Sequence, residues 1–137
     1  MPTLETLLQK ARLIHTSFLG NVVLLAVLGE MVGPAQPRDV NVLATALLVL
    51  AFSDLALLMF LRQRLLASAA ERLRSSVADP AAQGAWLSST VLLLALGEAV
   101  ALLGFVLRIL GGTLFHAVPL YAAGFLALLM LTPRLER

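Results

Sequence analysis

The segment Val91–Leu110, VLLLALGEAVALLGFVLRIL, is twenty residues long and carries a single carboxylate, Glu98, near its middle. At about 1.5 Å per residue, a helix of that length covers the ~30 Å hydrocarbon core of a bilayer. Hydrocarbon offers no hydrogen bonds, so a lone crossing segment must satisfy its own backbone, and a helix does this. An acid held at that depth is expensive; it is partnered, protonated or put to use. Composition extends the reading to the whole chain. Of 137 residues, 60% are hydrophobic and 13% charged, against roughly 45–50% and 25% in an ordinary soluble domain. A soluble domain of this size could not enclose so much Leu, Ala and Val. The expected fold is all-α, a four-helix antiparallel transmembrane bundle. It forms one integral membrane domain over 1–137, with spans at about 13–32, 40–61, 86–110 and 113–132.

Local signals set the boundaries. Residues 3–12 predict a short amphipathic lead-in. Thr3 can cap it, Leu4, Leu7, Leu8 and Ala11 share one face, and Glu5, Gln9, Lys10 and Arg12 share the other. It is expected to lie at the membrane surface and run into the first span. The basic-then-apolar order of a signal peptide is missing, so the first apolar run is expected to stay in the mature protein. Gly33-Pro34-Ala35-Gln36-Pro37 stops the first helix, and Asp39 can cap the second. The helical pattern then continues through RQRLLASAAERLRSS, which predicts a cytoplasmic extension of the second helix to about Ser75. Asp79-Pro80 starts the third helix. Trp86 suits the water–lipid boundary. Gly111-Gly112 ends the third helix, Pro119 is expected to kink the fourth, and Pro133 closes it.

Orientation follows from the basic residues. Lys10, Arg12, Arg62, Arg64, Arg72, Arg74, Arg134 and Arg137 fall on one side, and only Arg38 and Arg108 on the other. Such a bias places both termini in the cytoplasm, N-in and C-in, which an even number of spans also requires. The expected location is a bacterial cytoplasmic membrane. These cations sit at the ends of apolar runs and form no patch, so no nucleic-acid partner is expected. The arginine-rich connection reads as a solvated or headgroup-facing helix. There is no cysteine, which excludes disulfides and thiolate metal sites.

Counting inward from the cytoplasmic boundaries, Asp54 is eight residues from Arg62, Asn21 nine from Arg12, Glu98 twelve from Trp86 and Tyr121 thirteen from Arg134. All four fall within about 8 Å of one depth. Facing inward, they would form a polar layer. Two carboxylates there would not both ionise, so a shared proton or a clamped cation is one reading. The other is a protonated pair hydrogen-bonded to Asn21 and Tyr121 as structural glue. Glu30 and Arg108 lie near the outer ends of parallel spans and are expected to pair. His15 and His116 are each read as satisfied interfacial residues, and no donor spacing suggests a metal. Gly29 and Gly33 form a GxxxG, and Thr90, Gly97, Ala101 and Gly104 a small-residue stripe. Both predict close helix packing, within the chain or with another subunit. The segments 23–32 and 91–100 match at seven of ten positions around Glu30 and Glu98, a weak hint of repetition.

The third span, ALGEAVALLGFVLRIL, resembles the carboxylate-bearing helix of the rotary ATP synthase c subunit. That resemblance implies Glu98 as a proton- or sodium-carrying carboxylate, with Asp54 where some sodium-binding relatives place a first-helix ligand. The second span carries Ala44, Ala46, Ala51 and Ala56 where that family has a repeated glycine pattern. The chain as a whole resembles small four-span bacterial membrane proteins whose third helix has this Leu-Ala-Glu-Ala character, a likeness that implies no activity. No phosphate loop, nucleophile elbow or zinc-binding His pair occurs, so neither enzyme activity nor a cofactor is expected. The expected role is a structural or accessory subunit that meets lipid and either other membrane subunits or itself. The alternative is a proton- or cation-binding element of an ion-translocating assembly.

Overall fold

The structure is a computed structural model that describes residues 3–134; Arg137, counted above among the basic tail, lies outside them. Every regular element among the described residues is helical, and there are four helices. The first, Leu4–Val32, is capped by Thr3, whose Oγ1 accepts from the Thr6 N–H at 3.3 Å. It takes in both the expected lead-in and the expected span as a single rod about 43 Å long. The lead-in is therefore not a separate element: it continues straight into the span. Its Leu7 and Ala11 are buried in a cluster with Ala69, Leu73, Ala82 and Trp86, so protein rather than headgroups covers its apolar face. Trp86 is likewise not displayed at the water–lipid boundary: it is 2% exposed, at the centre of that cluster.

The second helix is continuous over Asn41–Ser75, with a π-helical turn at Arg62–Leu66. Its extension ends at Ser75, where the repeating pattern fails. Asp39 serves its start from one residue further out than expected. Val40 occupies the cap position, and Asp39 Oδ1 accepts from the Asn41 N–H at 3.2 Å. The third helix, Pro80–Ile109, has proline in its first turn, and the Asp79 carboxylate accepts from the Ala81 N–H at 2.9 Å. It stops in a Schellman turn. Gly112 N donates to Leu107 O at 2.9 Å, Gly111 N donates to Arg108 O at 3.3 Å, and Gly111 has φ +114°, which a side chain would disfavour. The fourth helix, Leu114–Met130, runs through Pro119 and opens with a capping box between Thr113 and His116.

Three helices are long and apolar enough to cross a membrane. The fourth, at 17 residues, is shorter than the 113–132 expected and spans about 25 Å. Side chains such as Val42 and Phe115, 87% and 85% exposed, cover the outside. Length and surface together are those of a small integral membrane protein.

The third helix organises the rest. In its most apolar stretch 44% of residues are buried, against 17% in the first and second helices. It contacts all three neighbours, whereas no Cα of the first helix comes within 8 Å of one in the second among the described residues. Against the fourth helix the approach is backbone to backbone. A Cβ on Gly124 would stand 2.8 Å from Ala101 N and 3.0 Å from Gly97 O, and one on Gly97 would stand 3.0 Å from Leu128. Gly104 in turn receives Leu120 and Tyr121. The stripe Gly97, Ala101, Gly104 is thus filled from within the chain, and Thr90, on the same helix, closes its hydroxyl onto Trp86 O.

These distances make Gly124 the least replaceable residue of the interface. Gly124→Ala forces two backbones apart and should cost roughly 1–3 kcal/mol. Gly20→Ala, with nothing within 4 Å, should be neutral or slightly stabilising. Thermal unfolding of the two variants in detergent checks the contrast; equal midpoints would contradict it.

Candidate functional site

The first and third helices run parallel, which sets Asn21 beside Glu98. Asn21 Nδ2 donates to Glu98 Oε1. Asn21 is exposed and Glu98 half-buried, so the pair lies at the outer edge of the seam between the two helices. No second donor from the described residues reaches the carboxylate. Glu98 is about 18 Å along the helix from Trp86, near the middle of the third helix. An amide and a carboxyl group are therefore presented sideways near the middle of the third helix, with one side of the carboxylate open.

Asp54 and Tyr121 do not complete a layer with them. Asp54 lies on the second helix between the buried Ala51 and Leu58, and its Oδ2 is buried without a partner. Tyr121 packs its ring against Gly104 and its hydroxyl over Gly29, and that hydroxyl is also buried without a partner. No hydrogen bond links either residue to Asn21 or Glu98. For Tyr121 the depth count itself fails: its hydroxyl stands over Gly29, eight residues or about 12 Å beyond Asn21 along the first helix. For Asp54 the count carries no information on rotation about the helix axis, and its buried oxygen finds no partner. What results is one hydrogen-bonded pair and two solitary polar groups.

A second polar centre occupies the opposite end of the bundle from Trp86. Arg108 Nε donates to Glu30 Oε1 at 2.8 Å, and Nη2 donates to Glu30 Oε2 at 3.3 Å. The fork is bidentate, the strongest arrangement for this pair. Nη1 donates to Gly112 O at 3.1 Å and reaches Pro34 O at 3.5 Å. Gly29 and Gly33 make room for it. A Cβ on Gly33 would stand 2.6 Å from Arg108 Nη1, and one on Gly29 would stand 3.5 Å from Arg108 Cγ. Gly33 is the bed of the Arg108 side chain, while Gly29 is covered first by the Tyr121 hydroxyl of the fourth helix, with Arg108 and Phe105 of the third beside it, so the GxxxG is filled from within the chain. Beside it, Arg38 N donates to Gly111 O at 3.0 Å, and the Arg38 stem lies on Gly111. One guanidinium thus ties the end of the first helix, the turn after it and the end of the third helix.

His15 is 6% exposed, and its Nε2 donates to Leu128 O at 2.8 Å, which fixes the proton on Nε2. It satisfies a terminal carbonyl of the fourth helix from the first. Sequence reading had singled out neither that contact nor Gly124. For Gly124 a signal existed: Ala117, Leu120, Gly124, Ala127 and Leu131 recur at helical spacing on the buried face. His116 caps its own helix through Thr113, with Nδ1 and the Thr113 hydroxyl 2.9 Å apart. No three His, Asp or Glu side chains converge as metal ligands among the described residues.

No family model matches this chain, and neither the curated proteins nor the solved structures yield a match. What the geometry defines is a small helical membrane protein with one polar pair on its flank and one arginine clamp at its end.

The clamp generates an ordered expectation. Arg108→Gln strands two carbonyls and a carboxylate and should destabilise by roughly 1–3 kcal/mol. Glu30→Gln leaves both carbonyl contacts and, with Glu30 40% exposed, should cost less than about 1 kcal/mol. Unfolding of both variants in detergent ranks them; the reverse order would show that the carboxylate, not the guanidinium, holds this end.

Proposed function

We propose that the protein is an accessory subunit of a membrane protein complex, without enzyme activity, in a bacterial cytoplasmic membrane with both termini inside. It docks its partner along the edge where the first and third helices meet. The observation that carries this reading is the exposed Asn21–Glu98 pair at mid-depth. Facing hydrocarbon, an amide and a half-bonded carboxyl group are costly. A neighbouring subunit that supplies a donor to the open side of Glu98 removes that cost. The orientation rests on the eight-to-two distribution of basic residues.

A second reading is favoured by the same open side. A carboxylate with one amide donor and one free face is the beginning of a proton or cation site, in line with the resemblance of this helix to the c subunit. Glu98 is then the carrier and Asn21 its positioning partner. Asp54 and Tyr121 stay outside that site.

The two readings separate by substitution. In the docking role, Asn21→Leu removes the polar handle and should abolish co-purification of partner subunits in mild detergent, while Glu98→Gln keeps shape and hydrogen bonding and should retain them. In the ion role, Glu98 should react with dicyclohexylcarbodiimide, sodium or acid pH should change that rate several-fold, and Glu98→Gln should abolish the labelling. A protein that purifies alone, with wild-type yield from Asn21→Leu cells, would defeat the docking role. A Glu98 that is inert to the reagent at every pH would defeat the ion role.

A further inference from the structure

A cavity of about 670 Å³ opens at the Trp86 end of the bundle, between the π turn of the second helix, Thr90 of the third and the end of the fourth. Three arginines line it: Arg62, Arg74 and Arg134. No Asp or Glu of the described residues lines it, and none of the three arginines is ion-paired among them. The fourth helix brings its carbonyl end to the same place, which by itself would favour a cation. Two of those carbonyls, at Leu128 and Leu129, are already answered within the chain. Leu128 O accepts from His15 and from Leu131 N, and Leu129 O accepts from the Thr132 hydroxyl at 2.7 Å. The unbalanced charge of the cavity is therefore positive.

The π turn is what gathers these charges. Arg62 and Arg74 are twelve residues apart. In an unbroken α-helix they would point about 120° from each other. The π turn at Arg62–Leu66 absorbs one residue, which reduces the angle to about 20°. Both then face the fourth helix, where Arg134 follows Pro133.

The cavity also has an apolar continuation. A groove of about 180 Å³ runs between the second and fourth helices, with Leu55 and Leu58 on one wall and Ala123 and Leu126 on the other. Met59, Arg62, Met130 and Leu131 line both spaces, so one leads into the other. The second and fourth helices touch less than any other neighbouring pair of spans, which leaves the groove unfilled. A cationic chamber at the membrane boundary, joined to an apolar slot running toward its middle, matches one chemistry: a phosphodiester headgroup with its acyl chain attached.

We propose that this is a binding site for one anionic phospholipid. Its phosphate sits among Arg62, Arg74 and Arg134, and one acyl chain lies between the second and fourth helices. A zwitterionic lipid brings no net charge to the three guanidiniums. A free phosphate ion makes no use of the groove. The site lies on the second and fourth helices, away from the Asn21–Glu98 edge, so it stands or falls independently of the docking role.

Native mass spectrometry of the full chain in mild detergent tests it, with dioleoyl phosphatidylglycerol and dioleoyl phosphatidylcholine as probes. Phosphatidylglycerol should be retained as a single adduct with about a hundredfold preference, the scale expected for three basic side chains near a headgroup. Combining Arg62→Gln, Arg74→Gln and Arg134→Gln should erase the preference. Arg72→Gln, at an exposed arginine outside the cavity, should leave it intact. Ala123→Phe fills the groove without changing charge and should weaken both lipids. Excess inorganic phosphate should not displace the adduct. Equal retention of the two lipids overturns the proposal, as does a preference that survives the triple substitution. Displacement by phosphate alone, with Ala123→Phe silent, would mean a free-anion site instead. Circular dichroism and elution volume show whether the triple variant folds; if it does not, Ala123→Phe and the phosphate competition decide.

Discussion

The bundle depends on how closely the fourth helix can approach the third. Between membrane helices the hydrophobic effect contributes little, because lipid tails are as apolar as leucine. What remains is dispersion, and dispersion rewards atoms in contact. Gly124 allows that contact by removing the one side chain that would stand between it and Ala101 N. Gly97 and Gly104 do the same for Leu128 and Leu120. With this pair locked, the third helix has its other faces free for the first and second, and the remaining contacts follow from it.

Polar groups are dealt with at the ends and edges of that frame. At one end Arg108 answers a carboxylate and two loop carbonyls; near the other, His15 answers a carbonyl of the fourth helix. Glycines enter here for a second reason, since Gly33 lies under the Arg108 side chain and Gly29 under the Tyr121 hydroxyl with Arg108 beside it, rather than against a helix backbone. The same sequence signature, small residues four apart, therefore does two physical jobs in one chain. Only what lies opposite distinguishes them. Asp54 Oδ2 and the Tyr121 hydroxyl are the two buried side-chain polar atoms left unanswered among the described residues.

Much of the fold could be read before any coordinates. Apolar run length gave the helices, and Thr3, Asp79-Pro80 and Gly111-Gly112 marked ends that depend on local backbone chemistry alone. Continuation of the second helix to Ser75 was legible from its repeating pattern, but the π turn inside it was not, since nothing in Arg62-Gln63-Arg64-Leu65-Leu66 marks an extra residue in the turn. Burial of Leu7 and Trp86 also escaped reading. An amphipathic stripe reports that a face needs cover and is silent on whether lipid or protein supplies it. For the candidate site the limits were angular and, for Tyr121, axial. Leu and Ala surround every span, so no moment marks an inward face, and Asn21, Asp54 and Glu98 could be given a height but no bearing; for Tyr121 the height also failed, since its hydroxyl reaches Gly29, about 12 Å beyond Asn21.

The separation of the first two helices has a consequence for how the chain is made. Emerging from the ribosome in order, they enter the bilayer as a pair whose backbones never come together, even in the finished protein. Neither has a close backbone neighbour until the third segment arrives, and the tight glycine contact forms only when the fourth follows. Assembly is thus postponed to the last fifth or so of translation. Until then the early segments rest on their greasiness alone, and Asn21 waits without the carboxylate it finally bonds.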